Sequence, residues 1–110
     1  MGRTTELRRA VAAAFVPVAE AAGFTMDRRG MPAILAFRRS AGKRVQIIEI
    51  QWEKYGRPRF VLNYGTCPAE GLEIDGRRFR PDSVAAGWLP DSGRLQPRRG
   101  MGPGAWFRQD

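Results

Sequence analysis

Apolar residues near the N-terminus recur at steps of three and four, which predicts an amphipathic helix. The predicted apolar stripe consists of Leu7, Val11, Ala14, Phe15, Val18 and Ala22. Gly23 is a natural residue to end this helix, and Phe24 after it can pack back on the last turn. Pro17 lies inside the pattern and removes one backbone donor, so we expect the helix to kink or split there.

After Gly23 the apolar period changes towards two, which is typical of β-strands. The pattern predicts four strands, within 24–28, 33–39, 45–53 and 60–64. The third strand is expected to be central, because Ile47 and Ile48 place apolar side chains on both of its faces. Short turns between the strands indicate an antiparallel meander, and the N-terminal helix would cover one of its faces.

The clearest turn joins the third and fourth strands, within the stretch from Arg44 to Thr66. Gly56 and Pro58 interrupt the chain there between two segments rich in β-branched and aromatic residues, which predicts a β-hairpin.

The last third of the chain carries weaker signals. Asp75-Gly76 stands between short apolar segments, which favours a two-residue hairpin turn. We expect a helical turn within 81–87, short edge strands at 94–95 and 105–108, and a loop at 97–104. Together these elements predict a single α+β domain over residues 1–110, with one helix on an antiparallel sheet of four or more strands.

Composition is that of a folded domain, with 110 residues of which 43% are hydrophobic. No apolar run approaches the roughly 20 residues that a membrane helix needs, and the N-terminal segment is too charged for a signal peptide. The single cysteine, Cys67, excludes an internal disulfide and suits a reducing cytosol. We therefore expect a cytoplasmic protein without a membrane partner, in which Cys67 is a buried, inert thiol.

The formal net charge is +8, and the excess lies in the N-terminal half of the chain. Arginine supplies seventeen of the nineteen basic residues, while Ala, Gly and Pro are abundant, a joint bias that the codons of a GC-rich genome produce whatever the function. Positive charge also promotes association with polyanions. Nucleic acid is therefore an alternative partner that the charge permits but does not require.

The chain contains no histidine, which removes Ser-His, Cys-His and histidine–metal arrangements. It has one cysteine and no P-loop, dinucleotide fingerprint or EF-hand motif. We therefore expect no cofactor, no metal and no catalytic residue.

Glu49 and Glu53 are the one carboxylate pair that could carry chemistry, since they lie four apart in a predicted strand and share a face. Paired carboxylates can perform acid–base work or bind a hard metal. The alternative is a solvated sheet face on which the two glutamates pair across strands with Arg44 or Arg59.

Aromatic and basic residues alternate around the predicted hairpin. Such a cluster can bind single-stranded nucleic acid, form a hot spot in a protein interface, or belong to an ordinary turn with Trp52 in the core. Trp88, Trp106 and Phe107 are expected to form a second apolar layer over the sheet, or a docking surface if they are exposed. The candidate binding surface therefore consists of Trp52, Lys54, Tyr55, Arg57, Arg59, Trp88 and Trp106.

Several short motifs occur in a characteristic order: a helix with an internal proline, Gly23-Phe24, Phe37-Arg38-Arg39, the segment 45–52, Phe60-Val61-Leu62-Asn63 and Trp106-Phe107. This order resembles a family of small bacterial proteins known as a domain of unknown function. The resemblance covers about residues 7–66 and, more weakly, 94–108. It implies the α+β meander and a non-enzymatic role, and it transfers no catalytic residue.

The expected function is that of a small non-enzymatic module that binds a protein partner or a second copy of itself. Immunity-type inhibition of a toxin is one form that this could take, by analogy of fold alone. The first alternative is a nucleic-acid-binding module, with phosphate contacts from Lys43, Arg44, Arg57 and Arg59 and stacking on Trp52 or Tyr55. The second alternative is an enzyme that uses Glu49 and Glu53.

Overall fold

An N-terminal helix packs on an antiparallel β-sheet in the computed structural model, which describes residues 3–27, 34–53, 58–95 and 107–108. The helix, α1, spans Arg3–Ala21. The strands are β1 (Thr25–Met26), β2 (Ile34–Ala41), β3 (Arg44–Trp52), β4 (Arg59–Pro68), β5 (Leu72–Ile74), β6 (Arg77–Phe79), β7 (Gly93–Leu95) and β8 (Phe107–Arg108). Two 3₁₀ turns lie between β6 and β7, η1 (Pro81–Ser83) and η2 (Ala86–Trp88). The predicted α+β class is confirmed.

The C-terminus of α1 is closed by the residues that the sequence indicated. Gly23 has a φ of +92°, a conformation that costs glycine little. Its N–H donates to the Glu20 carbonyl at 3.0 Å, and the Phe24 N–H donates to the Ala19 carbonyl at 2.9 Å. These two bonds form a Schellman motif, and Phe24 and Ala19 lie together in the core beneath the helix.

Pro17 does not split α1, so that part of the expectation was wrong, and the alternative of a kink stays a prediction. The helix continues through Pro17 as one element to Ala21. The Ala13 carbonyl loses its usual donor, but Ala13 and Pro17 are both exposed, so water can reach that oxygen. Core contacts from Phe15 on one side of Pro17 and Ala19 on the other hold the helix in place.

The face of α1 that contacts the sheet differs in part from the predicted stripe. Leu7, Val11 and Phe15 contact the core as predicted, and Val16 and Ala19 complete the contact. The three remaining predicted residues are exposed: Ala14, Val18 and Ala22. Apolar residues follow Val11 at both i+3 and i+4, and only packing against the sheet selects the path through Phe15.

The main sheet has the strand order β1-β2-β3-β4-β7, with every pairing antiparallel, and β8 also pairs with β4. The third predicted strand is central, because β3 pairs with β2 on one side and β4 on the other. Strand ends differ from prediction: β1 is shorter, while β2 and β4 extend further, to Ala41 and Pro68. The antiparallel pairing between β3 and β4 confirms their predicted partnership, and their connecting turn at 54–57 lies outside the described residues.

The region after β4 forms a second layer over the sheet, but the described residues that form it differ from those predicted. Of the predicted residues, Trp88 is 47% exposed, while Trp106 and the side chain of Phe107 lie outside the described part of the chain. α1 covers one face of the sheet over Phe37, Ile50 and Trp52. On the other face, Val84, Ala86 and Leu89 from the segment around η1 and η2 pack on Ile47 and Cys67. The sheet is therefore covered on both faces, by a regular helix on one side and by short turns on the other.

The weaker predictions for this region hold in outline. β5 and β6 form a hairpin whose turn is Asp75-Gly76, as predicted. The expected helical turn is present as η1 and η2. Two of the expected edge strands are β7 and β8, both paired with β4. The predicted loop at 97–104 lies outside the described residues.

Candidate functional site

Trp52 is a core residue and is not available to a partner. Its ring packs 5.7 Å from the Phe60 ring, and the Arg8 guanidinium lies 5.4 Å from its centre. Of the alternatives that the sequence left open, the structure therefore supports the one that places Trp52 in the core, and its proposed role in base stacking is lost.

The rest of the predicted surface is split between described and undescribed residues. Lys54, Tyr55, Arg57 and Trp106 lie outside the described residues. Arg59 is half-buried at the start of β4. Trp88 is 47% exposed. Its ring packs edge-to-face against the Phe79 ring, with 5.3 Å between the ring centroids. Trp88 is thus the member of the predicted surface that the structure places in contact with solvent.

Glu49 and Glu53 do not lie on a solvated sheet face, so that expectation was wrong. Both are buried, with 4% and 6% exposure. For Glu49 the physical reason is the second layer, because η2 passes over β3 and brings the Ala86 N–H within 3.1 Å of Glu49 Oε2. The sequence predicted a helical turn within 81–87 and an apolar layer over the sheet, but it did not predict that this turn would lie over Glu49.

Three polar side chains form a hydrogen-bond network beside Glu49. Asn63 Nδ2 donates to Gln51 Oε1 at 2.9 Å. Arg94 donates to both amides, through Nε to Asn63 Oδ1 at 2.8 Å and through Nη2 to Gln51 Oε1 at 3.3 Å. Strand register explains the grouping, since Glu49 pairs with Asn63 and Asn63 pairs with Arg94, so these side chains share one face of the sheet.

This network forms the floor of an open cleft of about 490 Å³, which we call the Glu49 cleft. Strands β2, β3 and β4 supply one side of the cleft, and the segment from η2 to β7 supplies the other. The lining residues are Ile34, Glu49, Gln51, Asn63, Ala85, Gly87, Trp88, Ser92, Gly93 and Arg94. A signal for this cleft was present in the sequence: Glu49, Gln51 and Asn63 place polar groups on inward positions of two central strands.

Charge in the Glu49 cleft is unevenly distributed. Among the described residues, no Lys or Arg nitrogen lies within 4.0 Å of the Glu49 carboxylate, whose hydrogen bond comes from a neutral backbone amide. Arg94 is exposed and bonded to the two amides instead. An ionised carboxylate removed from water without a cation costs several kcal/mol unless other groups compensate. Glu49 is therefore a strong acceptor that the described chain leaves without a counter-charge.

A larger cleft of about 820 Å³ is lined by Arg38, Arg39 and Arg80, together with Glu70 and Asp82. Two of these arginines already donate hydrogen bonds within the chain. Arg38 donates to Asp27 and to the carbonyls of Pro81 and Val84. Arg39 donates to Gln46 Oε1 and, at 2.6 Å, to the Ala22 carbonyl. The donors of these two guanidinium groups hold the fold together rather than offering a phosphate site.

Cys67 is fully buried, as predicted. It lies in the second core, the cluster on the face of the sheet opposite α1 that also contains Ile47, Val84, Ala86 and Leu89. Burial raises the pKa of its thiol, and the nearby Glu70 carboxylate raises it further against an opposing effect of Arg38. A raised pKa lowers the thiolate fraction and with it the nucleophilicity of the residue.

Among the described residues, no group of three or more His, Cys, Asp or Glu side chains is placed to hold a metal ion. In the same part of the chain, no helix is both long and apolar enough to cross a membrane.

Comparison with protein-family models, with curated proteins and with solved structures finds no match to this chain. The resemblance to a family of small bacterial proteins therefore stays a prediction, and the residues of the Glu49 cleft are the basis for a functional proposal.

Proposed function

We propose that this chain is a non-enzymatic protein-binding module and that the Glu49 cleft is its recognition site. The observation that carries the proposal is the presence in one cleft of an exposed tryptophan, Trp88, and a buried carboxylate, Glu49, that has no counter-charge among the described residues. Tryptophan and arginine are the residue types most enriched in interface hot spots, and Trp88 and Arg94 both line the cleft.

The chemistry of the cleft favours binding over catalysis. Its polar groups are one carboxylate, two side-chain amides, one guanidinium and the Ser92 hydroxyl. Among the described residues that line the cleft, Glu49 is the one acidic side chain and no histidine or cysteine accompanies it. This set of groups supports recognition by hydrogen bonds and charge.

The contacts of Arg38, Arg39 and Arg94 favour a protein partner over nucleic acid. Phosphate binding needs guanidinium groups that are free to neutralise a polyanion. Arg38, Arg39 and Arg94 each donate to side chains or carbonyls of this chain. Of the four residues predicted to contact phosphates, Lys43 and Arg44 remain candidates, since both are exposed near the turn between β2 and β3.

The test is affinity capture from an extract of the source organism with wild-type, W88A and V18A proteins as baits. Val18 is an exposed residue on α1, which covers the face of the sheet opposite the cleft. V18A therefore controls for the loss of any exposed apolar side chain. We expect at least one protein that wild type and V18A retain and that W88A loses about tenfold or more, as for a hot-spot residue.

Two results would count against the proposal. One is a set of captured proteins that W88A leaves unchanged. The other is binding to labelled oligonucleotides that persists when salt rises from about 50 to 200 mM, because association driven by net charge alone weakens steeply over that range.

A further inference from the structure

We propose that the Glu49 cleft receives a cationic side chain of the partner, with arginine the best fit, and that Glu49 is its counter-charge. This inference rests on the proposed function, because it names the group that the protein partner would insert. It starts from the Glu49 carboxylate, which lines the cleft, is 96% removed from solvent and is bonded to a backbone N–H.

The cleft floor already accepts one guanidinium group, which indicates its chemical preference. Arg94 of this chain donates two N–H groups to the oxygens of Gln51 and Asn63. Glu49 lies two residues before Gln51 on β3 and faces the same side of the sheet. Its carboxylate is a stronger acceptor than the amide oxygens of Gln51 and Asn63. A second guanidinium group placed beside Arg94 would find a carboxylate with no cation within 4.0 Å in the described chain.

Repulsion from Arg94 does not prevent this arrangement. Arg94 is exposed, so its charge is screened by water and salt, whereas the Glu49 carboxylate is buried and is screened much less. The local field at the carboxylate therefore favours a cation, although the chain as a whole carries a formal charge of +8.

Trp88 supplies the wall against which a cation can lie. Its side chain lines the cleft and is about half exposed, with its ring held by the Phe79 ring at 5.3 Å. A cation over a tryptophan face is stabilised by the ring quadrupole, and the planar guanidinium group also stacks. The Glu49 carboxylate and the Trp88 indole ring are therefore the groups that would recognise arginine, while the amide oxygens of Gln51 and Asn63 stay bonded to Arg94.

The experiment is a titration of isotope-labelled protein with Nα-acetyl-arginine amide, followed by NMR at the Trp88 indole N–H and the Gln51 and Asn63 side-chain amides. Nα-acetyl-citrulline amide is the matched probe, because it keeps the shape and lacks the charge. We expect saturable shifts with the arginine probe and binding at least about tenfold weaker with citrulline.

Two variants test the role of Glu49 directly. E49Q keeps an oxygen for the Ala86 N–H and removes the charge, so it should fold and bind the arginine probe at least about tenfold more weakly. E73Q makes the same change at an exposed residue that pairs loosely with Arg78, and it should bind like wild type. If E49Q is poorly folded, W88L provides the second test from the exposed side of the cleft and should also weaken binding.

Failure of this inference can be separated from failure of the proposed function. Equal binding of the arginine and citrulline probes, or wild-type affinity in E49Q, would overturn the cation site. If the captured partner still depends on Trp88 under those results, the protein-binding function stands and the inserted group is not a cation. Saturable, Glu49-dependent arginine binding without any Trp88-dependent partner would support the site and overturn the proposed function.

Discussion

Arg38 and Asp27 form an ion pair of 2.8 Å that joins β2 to the residue after β1, with both side chains only about 15% exposed. The same guanidinium group donates at 2.9 Å to the Pro81 carbonyl and at 2.8 Å to the Val84 carbonyl. Arg38 therefore connects the edge of the sheet to both ends of the segment that carries η1. This segment belongs to the layer that forms the Glu49 cleft, so Arg38 positions the cleft from a distance.

Removing this connection should lower the stability of the whole domain. We expect R38A to reduce the free energy of unfolding by about 2–4 kcal/mol, because it removes a mostly buried ion pair and the donors to two carbonyls. R38K should lie between wild type and R38A, since an ammonium group cannot reproduce the planar fork. Chemical denaturation measures all three. R78A is the control, because the Arg78–Glu73 pair is 3.9 Å long and more than half exposed, and it should cost at most about 0.5 kcal/mol.

Replacing Pro17 should stabilise the helix. α1 passes through Pro17 although proline lacks the N–H that would bond to the carbonyl of Ala13. We expect P17A to raise the free energy of unfolding by about 1–3 kcal/mol, because alanine restores that bond and has the best helix propensity. V18A, at the neighbouring exposed position, should change stability by no more than about 0.5 kcal/mol. A P17A protein that is less stable than wild type would show that the proline serves the packing of α1.

The thiol of Cys67 should react slowly while the protein is folded. It is fully buried, and burial raises its pKa, so both access and thiolate fraction are low near neutral pH. We expect alkylation by iodoacetamide at pH 8 to be at least about 100-fold slower in the native protein than in denaturant, because reaction requires opening of the second core. Mass spectrometry of timed samples gives both rates. Native and unfolded rates within a few-fold of each other would contradict the burial of this side chain.

Asp91 should make stability depend on pH in the acidic range. Its pKa is lowered chiefly by the hydrogen bond from the Thr66 hydroxyl and then by the Thr66 backbone N–H, which lies 3.1 Å from Oδ1. Because the folded-state pKa is below the unfolded one, ionised Asp91 stabilises the fold above about pH 4. That contribution is lost as the pH falls through the folded-state pKa.

Thr66→Val tests this relationship because it removes the hydroxyl and keeps the backbone N–H. The Asp91 pKa, followed by carboxyl carbon NMR, should move up towards its ordinary value in T66V. The acid-side loss of stability should become shallower, and D91N should remove the Asp91 contribution altogether. An unchanged titration of Asp91 in T66V would show that the hydroxyl bond does not persist in solution.

The candidate site was predictable only in part from the sequence. Glu49 drew attention because it shares a face of the predicted third strand with Glu53, but a solvated face was the expected setting. The covering layer changed that setting, since η2 lies over β3 and donates to Glu49. Arg94 could be assigned to an edge strand, yet its bonds to Gln51 and Asn63 depend on a pairing between strands about thirty residues apart in sequence.

By itself, the sequence determined the elements and their local chemistry. Apolar periods of about 3.6 and 2 predicted α1 and the strands of the meander, and Gly23 and Asp75-Gly76 marked a helix end and a turn. These features depend on neighbours within a few residues, so a local pattern contains them.

The tertiary structure alone decided which surfaces meet. It selected the face of α1, buried Trp52 and Glu49, placed the segment around η1 and η2 over the second face, and left Trp88 at the mouth of the cleft. Each of these outcomes depends on contacts between residues far apart in the chain, whose energies arise only when the sheet brings them together.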